Sequence, residues 1–459
     1  MSAPDQTASP ILSASLFPAL FHAVIPQEIL CQAIAAAHPR GSGVPKLDYG
    51  QFTMGLVWQA LAGRGTLGSH MKDLFDIAIS EAALSGRKQS IGWEYLALTL
   101  GRALKPMATP QANAEAFHAG LRLVGVDMTK WNLANTAAIN GEVQKARSPK
   151  GNGELVAFAQ MNCEMLVEIG TLNPLGVALC WDGTGELNLA RELLASVPEH
   201  GLLLQDRLYG SPWYLKEQAE ALAAKGSHFL ARVKEGIGVR PVRVLEDGSQ
   251  LVEADVVNPH TGKAEGVLQL REITAHVTVK GEPEPTTLRL WTSLLDARKH
   301  PAMELVRLYH LRWKHELYYR EMKGDLHDNA GLLKAQTMTG AALEVLSLVV
   351  ATALLARQRL KVAVQAKVPV WQVSFGVVMT EVAAFLAFLQ VAVGIITEQQ
   401  AGQLAEKLLE RLVRKAVLRQ RKPRRCQRAV RQPVCSWPKV KMPTSAELVV
   451  TYKILPAKP

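Results

Sequence analysis

Residues 122–133 read RLVGVDMTKWNL, residues 155–170 LVAFAQMNCEMLVEIG and residues 175–183 LGVALCWDG. Each is a short apolar run closed by polar or turn residues, the pattern of a strand. Behind them LNLARELLASV (187–197) has helical spacing, GLLLQDRL (201–208) is a fourth strand, SPWYLKEQAEALAAKG (211–226) a second helix and HFLARVKEG (228–236) a fifth strand. The order β-β-β-α-β-α-β predicts an α/β core whose first and fourth strands can lie side by side.

Outward from this core the pattern changes on both sides. Residues 26–106 repeat helical spacing with short breaks, which predicts an all-helical region. Within it Ser80 stands as an N-cap ahead of an exposed Arg87-Lys88 pair suited to DNA phosphates or, equally, to an ordinary surface helix. Residues 240–295 are β-rich and punctuated by turns, as in an inserted small sheet, and from Pro301 onward the chain is mainly helical. The apolar stretches 341–356 and 382–396 are shorter than the roughly 20 residues a membrane helix needs, so they read as buried core helices. The first 24 residues lack a basic segment and are broken by Pro18 and His22, so a secretory signal is not expected and a cytoplasmic place is.

Of 459 residues 48% are hydrophobic and 20% charged, which excludes a disordered chain. The net charge of +11 is concentrated: residues 411–441 hold twelve Lys or Arg and no acid, leaving 40 basic against 41 acidic residues elsewhere. Such a segment, with Arg424 and Arg425 at its centre, suits a polyanion, nucleic acid above all, or is a solvated tail. Cys31, Cys163, Cys180, Cys426 and Cys435 are scattered without zinc-ligand spacing, as in a reducing compartment without structural zinc.

The chemistry centres on residues 301–328, PAMELVRLYHLRWKHELYYREMKGDLHD. On one continuous helix Tyr309, Arg312, Glu316 and Lys323 share an arc of roughly 60°, while Leu308, Leu311, Tyr318, Met322 and Leu326 gather on an apolar face. A carboxylate flanked by Arg, Lys and a phenol suits a phosphodiester site, the carboxylate holding a divalent metal and the cations meeting phosphate oxygens. A solvent-facing stripe of ion pairs is the plainer alternative. Two aspartates favour the first: Asp127 closes one predicted strand and Asp206 another, and strand ends are where open α/β sheets gather ligands. Asp182 rivals Asp127, but Asp127 is preferred because its strand can neighbour that of Asp206. Hard oxygen ligands favour Mg2+ or Mn2+, two ions per site. His310 and His315 lack the second His of an HExxH zinc site and read as structural, and Gly151-Asn152-Gly153 reads as a turn, so no nucleotide cofactor is expected.

Tyr309-x2-Arg312-x3-Glu316-x6-Lys323 resembles in full the Y-(2)-R-(3)-E-(6)-K signature of the insertion sequence 4 family of DDE transposases, and QDRLYG around Asp206 looks like its second-aspartate block. The resemblance spans residues 25–430 and implies an RNase H-like α/β catalytic core with an inserted small β-domain, flanked by all-helical N- and C-terminal regions. It implies these parts: 1–115, helical and DNA-binding; 116–335, catalytic, with the insertion at 236–296; 336–410, helical; 411–459, a basic tail. It also implies that Asp127, Asp206 and Glu316 are the catalytic, metal-binding triad, although the family's usual Asp-Gly-Thr is here Asp127-Met128-Thr129. Tyr309, Arg312 and Lys323 would contact phosphates; Trp313 fits the family's Arg-Trp pair and, with Arg320, would lie near DNA, while Trp291 is a candidate for stacking a flipped base or a core residue. The implied activity is cut-and-paste transposition: nicking at terminal inverted repeats, hairpin formation and opening, and strand transfer to target DNA. A homodimer on paired ends, in a bacterial cytoplasm at the nucleoid and without membrane partners, is the matching expectation. A catalytically silent DNA-binding regulator and a nuclease that cuts without joining are the alternatives.

Overall fold

Side-chain oxygens set the starts of the N-terminal helices. A computed structural model describes residues 16–37, 48–146, 155–279, 284–327, 331–392, 395–418 and 450–455. In it α1 (Leu16–Val24), α2 (Gln27–Ala37), α3 (Tyr49–Ala62), α4 (Leu67–Phe75), α5 (Glu81–Ile91) and α6 (Glu94–Ala103) follow one another. Asp48, Thr66 and Ser80 each accept a first-turn backbone N–H, of α3, α4 and α5, so Ser80 is the cap its sequence position suggested.

Next come β1 (Phe117–His118), β2 (Leu121–Asn132), α7 (Ala137–Glu142), β3 (Gln160–Glu168), β4 (Asn173–Cys180), α8 (Glu186–Leu193), β5 (Gly201–Gln205), α9 (Pro212–Ala223) and β6 (His228–Arg232). The expected strand and helix order is present, with β1 and α7 as small additions. β2 pairs antiparallel with β3 and parallel with β5, Gly125 lying opposite Leu204, and β5 runs parallel to β6. The spatial order β4-β3-β2-β5-β6 forms a mixed sheet with helices on both faces. Strand alternation assigns the faces. Val124, Val126 and Leu203 pack with Leu189 and Leu193 of α8 and with Tyr214 and Leu215 of α9. Leu121, Leu123, Leu202 and Leu204 turn the other way, toward Leu305, Val306 and Tyr309.

The strands β7 (Arg240–Val244), β8 (Gln250–Val257), β9 (Ala264–Val279) and β10 (Thr286–Thr292) fall where the insertion was expected, but they do not make a separate sheet. β10 pairs with β6, Trp291 opposite Ala231, and the order continues as β10-β9-β8-β7. An apolar edge at Phe229–Ala231 would otherwise lack partners for its backbone, and β10 supplies them.

The remaining elements are α10 (Ala302–Tyr309), α11 (Trp313–Arg320), α12 (Met338–Ala366), α13 (Phe375–Val391), α14 (Glu398–Ala416) and β11 (Val450–Ile454), which pairs with β9. The short apolar stretch expected at 341–356 is the middle of a 29-residue helix that is long and apolar enough to cross a membrane; 89% of its apolar window is nonetheless buried inside the protein. Leu346 and Leu354 of α12 share one core with Phe52 and Trp58 of α3, Met165 of β3 and Tyr318 of α11. The terminal helical regions thus pack on one another and on one face of the sheet. Arg411 and Lys415, at the start of the basic segment, both pair with Glu381 of α13, which leaves one positive charge uncompensated. Arg424 and Arg425 lie outside the described residues.

Candidate active site

The signature segment is not one continuous helix. A 3-10 turn at His310–Arg312 separates α10 from α11, and a π-helical turn at Glu321–Leu326 follows. Within that turn the Lys323 Nζ donates to the Lys130 carbonyl at 2.6 Å and sits 4.8 Å above the Trp131 ring. Tyr309 and Arg312 are buried, which removes the solvent-facing-stripe alternative for both.

What brings α11 onto β2 is a missing side chain. A Cβ on Gly125 would stand 3.0 Å from His315 Nδ1 and 2.8 Å from Ile169 Cδ1. Glycine lets the fully buried His315 settle against the strand. The Tyr319 hydroxyl then donates to the Asp127 carbonyl at 2.5 Å, pinning α11 to β2 one residue pair from the site. His315 is packed against Tyr318 and Tyr319 and has no hydrogen-bond partner among the described residues; burial pushes its pKa down to about 3, so it is a neutral packing group, as its sequence context suggested.

Asp127 does not end its strand. β2 continues to Asn132 along β3, but its pairing with β5 stops at Gly125, so Asp127 stands at the lip where the parallel neighbour ends. Asp206 immediately follows β5. Arg312 reaches between carboxylates, with Nη1 3.6 Å from Asp127 and Nη2 donating to Glu316 at 3.2 Å. Burial, with the charges of Glu186 and Asp206, raises the Asp127 pKa to about 6 against the pull of Arg312. Burial also pushes the Tyr309 phenol up to about 12 beside Arg312. Asp127 and Glu316 thus flank Arg312, and Asp206, with Tyr309, acts on the same guanidinium through its charge. Among the described residues no three His, Cys, Asp or Glu side chains stand close enough to hold an ion together. The guanidinium occupies the cationic place between Asp127 and Glu316. In kind, an all-carboxylate donor set suits a hard divalent cation.

Asp182, the rival, is exposed in a turn two strands from β2, where it accepts the Thr184 N–H. Trp291 is fully buried in the sheet, its Nε1 donating to Glu272 at 2.7 Å, so it is core and not a platform for a base. Trp313 is 56% exposed beside Arg312, and Arg320 is exposed at the end of α11. The Arg87-Lys88 pair is half-buried rather than exposed: Arg87 lies 4.6 Å over the Tyr49 ring, and Lys88 lines a cavity with Glu344. Sequence reasoning missed a basic cleft of about 340 Å³ lined by Arg207, Arg232, Lys234 and Arg289. Arg289 is held by Glu272, but the side chains of Arg207, Arg232 and Lys234 have no hydrogen-bond or ion-pair partner among the described residues. The available signal was their position just past the ends of β5 and β6.

A mixed sheet carrying an aspartate on β2, a second after β5 and a glutamate on a later helix defines the class. The chain belongs to the family described as Transposase DDE domain, whose model matches residues 119–354. It is 27% identical over 247 residues to the transposase InsG for insertion sequence element IS4 of Escherichia coli (strain K12), and the match spans 53% of each chain, about half the length of that relative. Among solved structures it is similar, at 9% identity and a TM-score of 0.42, to the piggyBac transposase in a synaptic complex with hairpin DNA, with 91% of this chain and 87% of that one covered.

Proposed function

We propose that this chain is a metal-dependent DNA transposase of the insertion sequence 4 type, with an RNase H-like core, acting by cut-and-paste. The observation that supports the reading is Arg312 standing between Asp127 and Glu316, with Asp206 directly after the parallel neighbour strand β5. Two Mg2+ or Mn2+ ions held by those carboxylates would activate a water or 3′-OH and stabilise the leaving 3′ oxygen. Arg312 then exchanges its carboxylate partners for a phosphate oxygen, with Tyr309 beside it at the scissile strand. Arg207, Arg232 and Lys234 hold the flanking backbone, and Trp313 and Arg320 lie along the same DNA path. The substrates are transposon ends with terminal inverted repeats and a target duplex, the working form is a homodimer on paired ends, and the place of action is the bacterial nucleoid. The basic segment from Arg411 onward adds contacts whose affinity falls as salt rises.

The test is cleavage and joining of the element's own ends, recovered from DNA flanking the gene, with Mg2+ or Mn2+. Metal-dependent cutting and end-joining that Glu316→Ala loses supports the reading. Specific binding without cutting by the wild type would replace it with a silent regulator, and cutting without joining would replace it with a nuclease.

A further inference from the structure

The inserted strands reach back to the start of the signature segment. α10 leads through a 3-10 turn to Arg312, and the residue at its N-cap position is Pro301, which makes no side-chain cap hydrogen bond. The acceptor comes from 55 residues earlier: Asp247, in the turn between β7 and β8, takes the Ala302 N–H on Oδ2 at 2.7 Å. A carboxylate there satisfies an orphan donor and meets the positive end of the helix. Asp247 is itself aimed. Its Oδ1 accepts the Ser249 hydroxyl at 2.5 Å and the Ser249 N–H at 3.2 Å, and its Oδ2 pairs with the guanidinium of Arg271 on β9. Arg271 has no exposed surface. It donates to Ser249 Oγ at 2.8 Å and, across the junction, to the His300 carbonyl at 2.6 Å. One carboxylate and one buried cation thus grip the backbone on both sides of Pro301.

The grip lies at the far end of α10 from the chemistry. His300 stands against His118 of β1, which pairs with the start of β2, whereas Asp206 follows the end of the parallel strand β5. Tyr309 closes the helix there, and its eight residues carry any displacement over about 12 Å. Between its ends α10 holds to the sheet through Leu305 and Val306, contacts that are apolar and non-directional. The hydrogen bonds at its N-terminus are directional, so they set where the helix sits along its own axis. Arg312, with Nη1 3.6 Å from Asp127 and Nη2 3.2 Å from Glu316, depends on that setting.

We propose that Asp247 and Arg271 are positioning residues of the active site, a clamp by which the inserted strands fix the register of α10 and with it the places of Tyr309 and Arg312; the proposal rests on the transposase reading of that site. The test compares wild type, Asp247→Ala, Asp247→Asn and the double variant Asp247→Ala with Arg271→Met, all as the full chain. Melting, end binding by gel shift and single-turnover end cleavage with Mg2+ are measured on each, the last below every melting temperature. Asp247→Ala strands a buried guanidinium and is expected to melt lower; the double variant removes that charge and regains most of the loss. Cleavage is expected not to follow. The double variant still lacks an acceptor for Ala302, so it cuts about 10- to 100-fold more slowly than wild type at equal end binding. Asp247→Asn, whose amide oxygen can take the Ala302 N–H, recovers most of the rate. Backbone hydrogen exchange without DNA gives a readout independent of cutting, expected to be faster from Ala302 through Arg312 in the double variant. A double variant that cuts and exchanges like wild type, or one whose cutting returns together with its melting temperature, overturns the proposal. If the double variant does not fold, equal cutting by Asp247→Ala and Asp247→Asn overturns it. If the wild type neither cuts nor joins DNA, the transposase reading fails, and exchange through Arg312 still decides the clamp.

Discussion

Glu164 and Glu168 lie four residues apart on β3, on the same sheet face, and neither has any exposed surface. Their surroundings are opposite. Glu168 accepts the backbone N–H groups of Met107 at 3.0 Å and Ala108 at 3.1 Å, the Thr171 hydroxyl, and an ion pair from Arg122. Arg122 also donates to the Ala108 carbonyl, which ties the connection after α6 to the start of the sheet. Glu164 has the Tyr209 phenol alone, and its Oε2 is orphaned. Nearby, Gln205, Gln218 and the Tyr214 hydroxyl are also buried without partners among the described residues. One end of the strands spends its polar groups on holding the fold. The other leaves them unsatisfied toward the end of the strands that carries Asp127 and Asp206, as functional sites tend to do.

The largest effect expected from this contrast is catalytic. Asp206→Ala or Glu316→Ala should lower end cleavage by about 10³-fold or more while end binding in gel shift stays within a few-fold. Loss of binding in step with cleavage would move these residues to the structural side.

At the opposite end, Glu168→Ala leaves Arg122 and two amides without their acceptor and should cost about 3–5 kcal/mol in denaturant unfolding. A loss under 1 kcal/mol would erase the distinction between the two ends. His300 belongs to that end too, its Nδ1 3.1 Å from Nε2 of His118 on β1. Burial, then the neighbouring His118 and Lys299, push its pKa down to about 4. The unfolded chain takes up this proton near pH 6.5 and the folded chain only near pH 4, so the stability it carries is present at neutral pH and lost as pH falls through that window. His300→Gln should flatten the decline between pH 6.5 and 4 by about 2 kcal/mol. An unchanged slope in urea melts at the two pH values would contradict the placement.

Gly125→Ala pushes a methyl group against His315 and Ile169 and should cost about 1–3 kcal/mol, with cleavage falling further than stability because α11 carries Glu316. The smallest effect belongs to Glu164→Gln. Its replacement by a neutral isostere should shift unfolding by less than about 1 kcal/mol, against the larger loss at Glu168. A cost equal to that of Glu168→Ala would show Glu164 to be a second structural anchor.

Much of this was legible beforehand. Short apolar runs are read by length and alternation, so the order of strands and helices from Arg122 to Arg232 followed from the chain, as did the pairing of β2 with β5 that sets Asp127 beside Asp206. The Arg312 and Glu316 spacing was equally visible because four residues are about one helical turn, and the pair does form in the structure. The π turn that carries Lys323 was not legible, because it adds a residue to the helical repeat without any signal in composition. Trp291 looked available because a strand residue's exposure depends on which edge its strand joins, and β10 closes onto β6.

The sequence by itself determined the element order, the capping at Ser80 and the concentration of positive charge after Arg411, all properties of local spacing and side-chain chemistry. Tertiary structure alone decided that the inserted strands extend the core sheet and that Arg312 stands between Asp127 and Glu316. The pairing of β10 with β6 and the approach of Arg312 to Asp127 join distant parts of the chain, and burial and packing, which no local pattern encodes, set which of them meet.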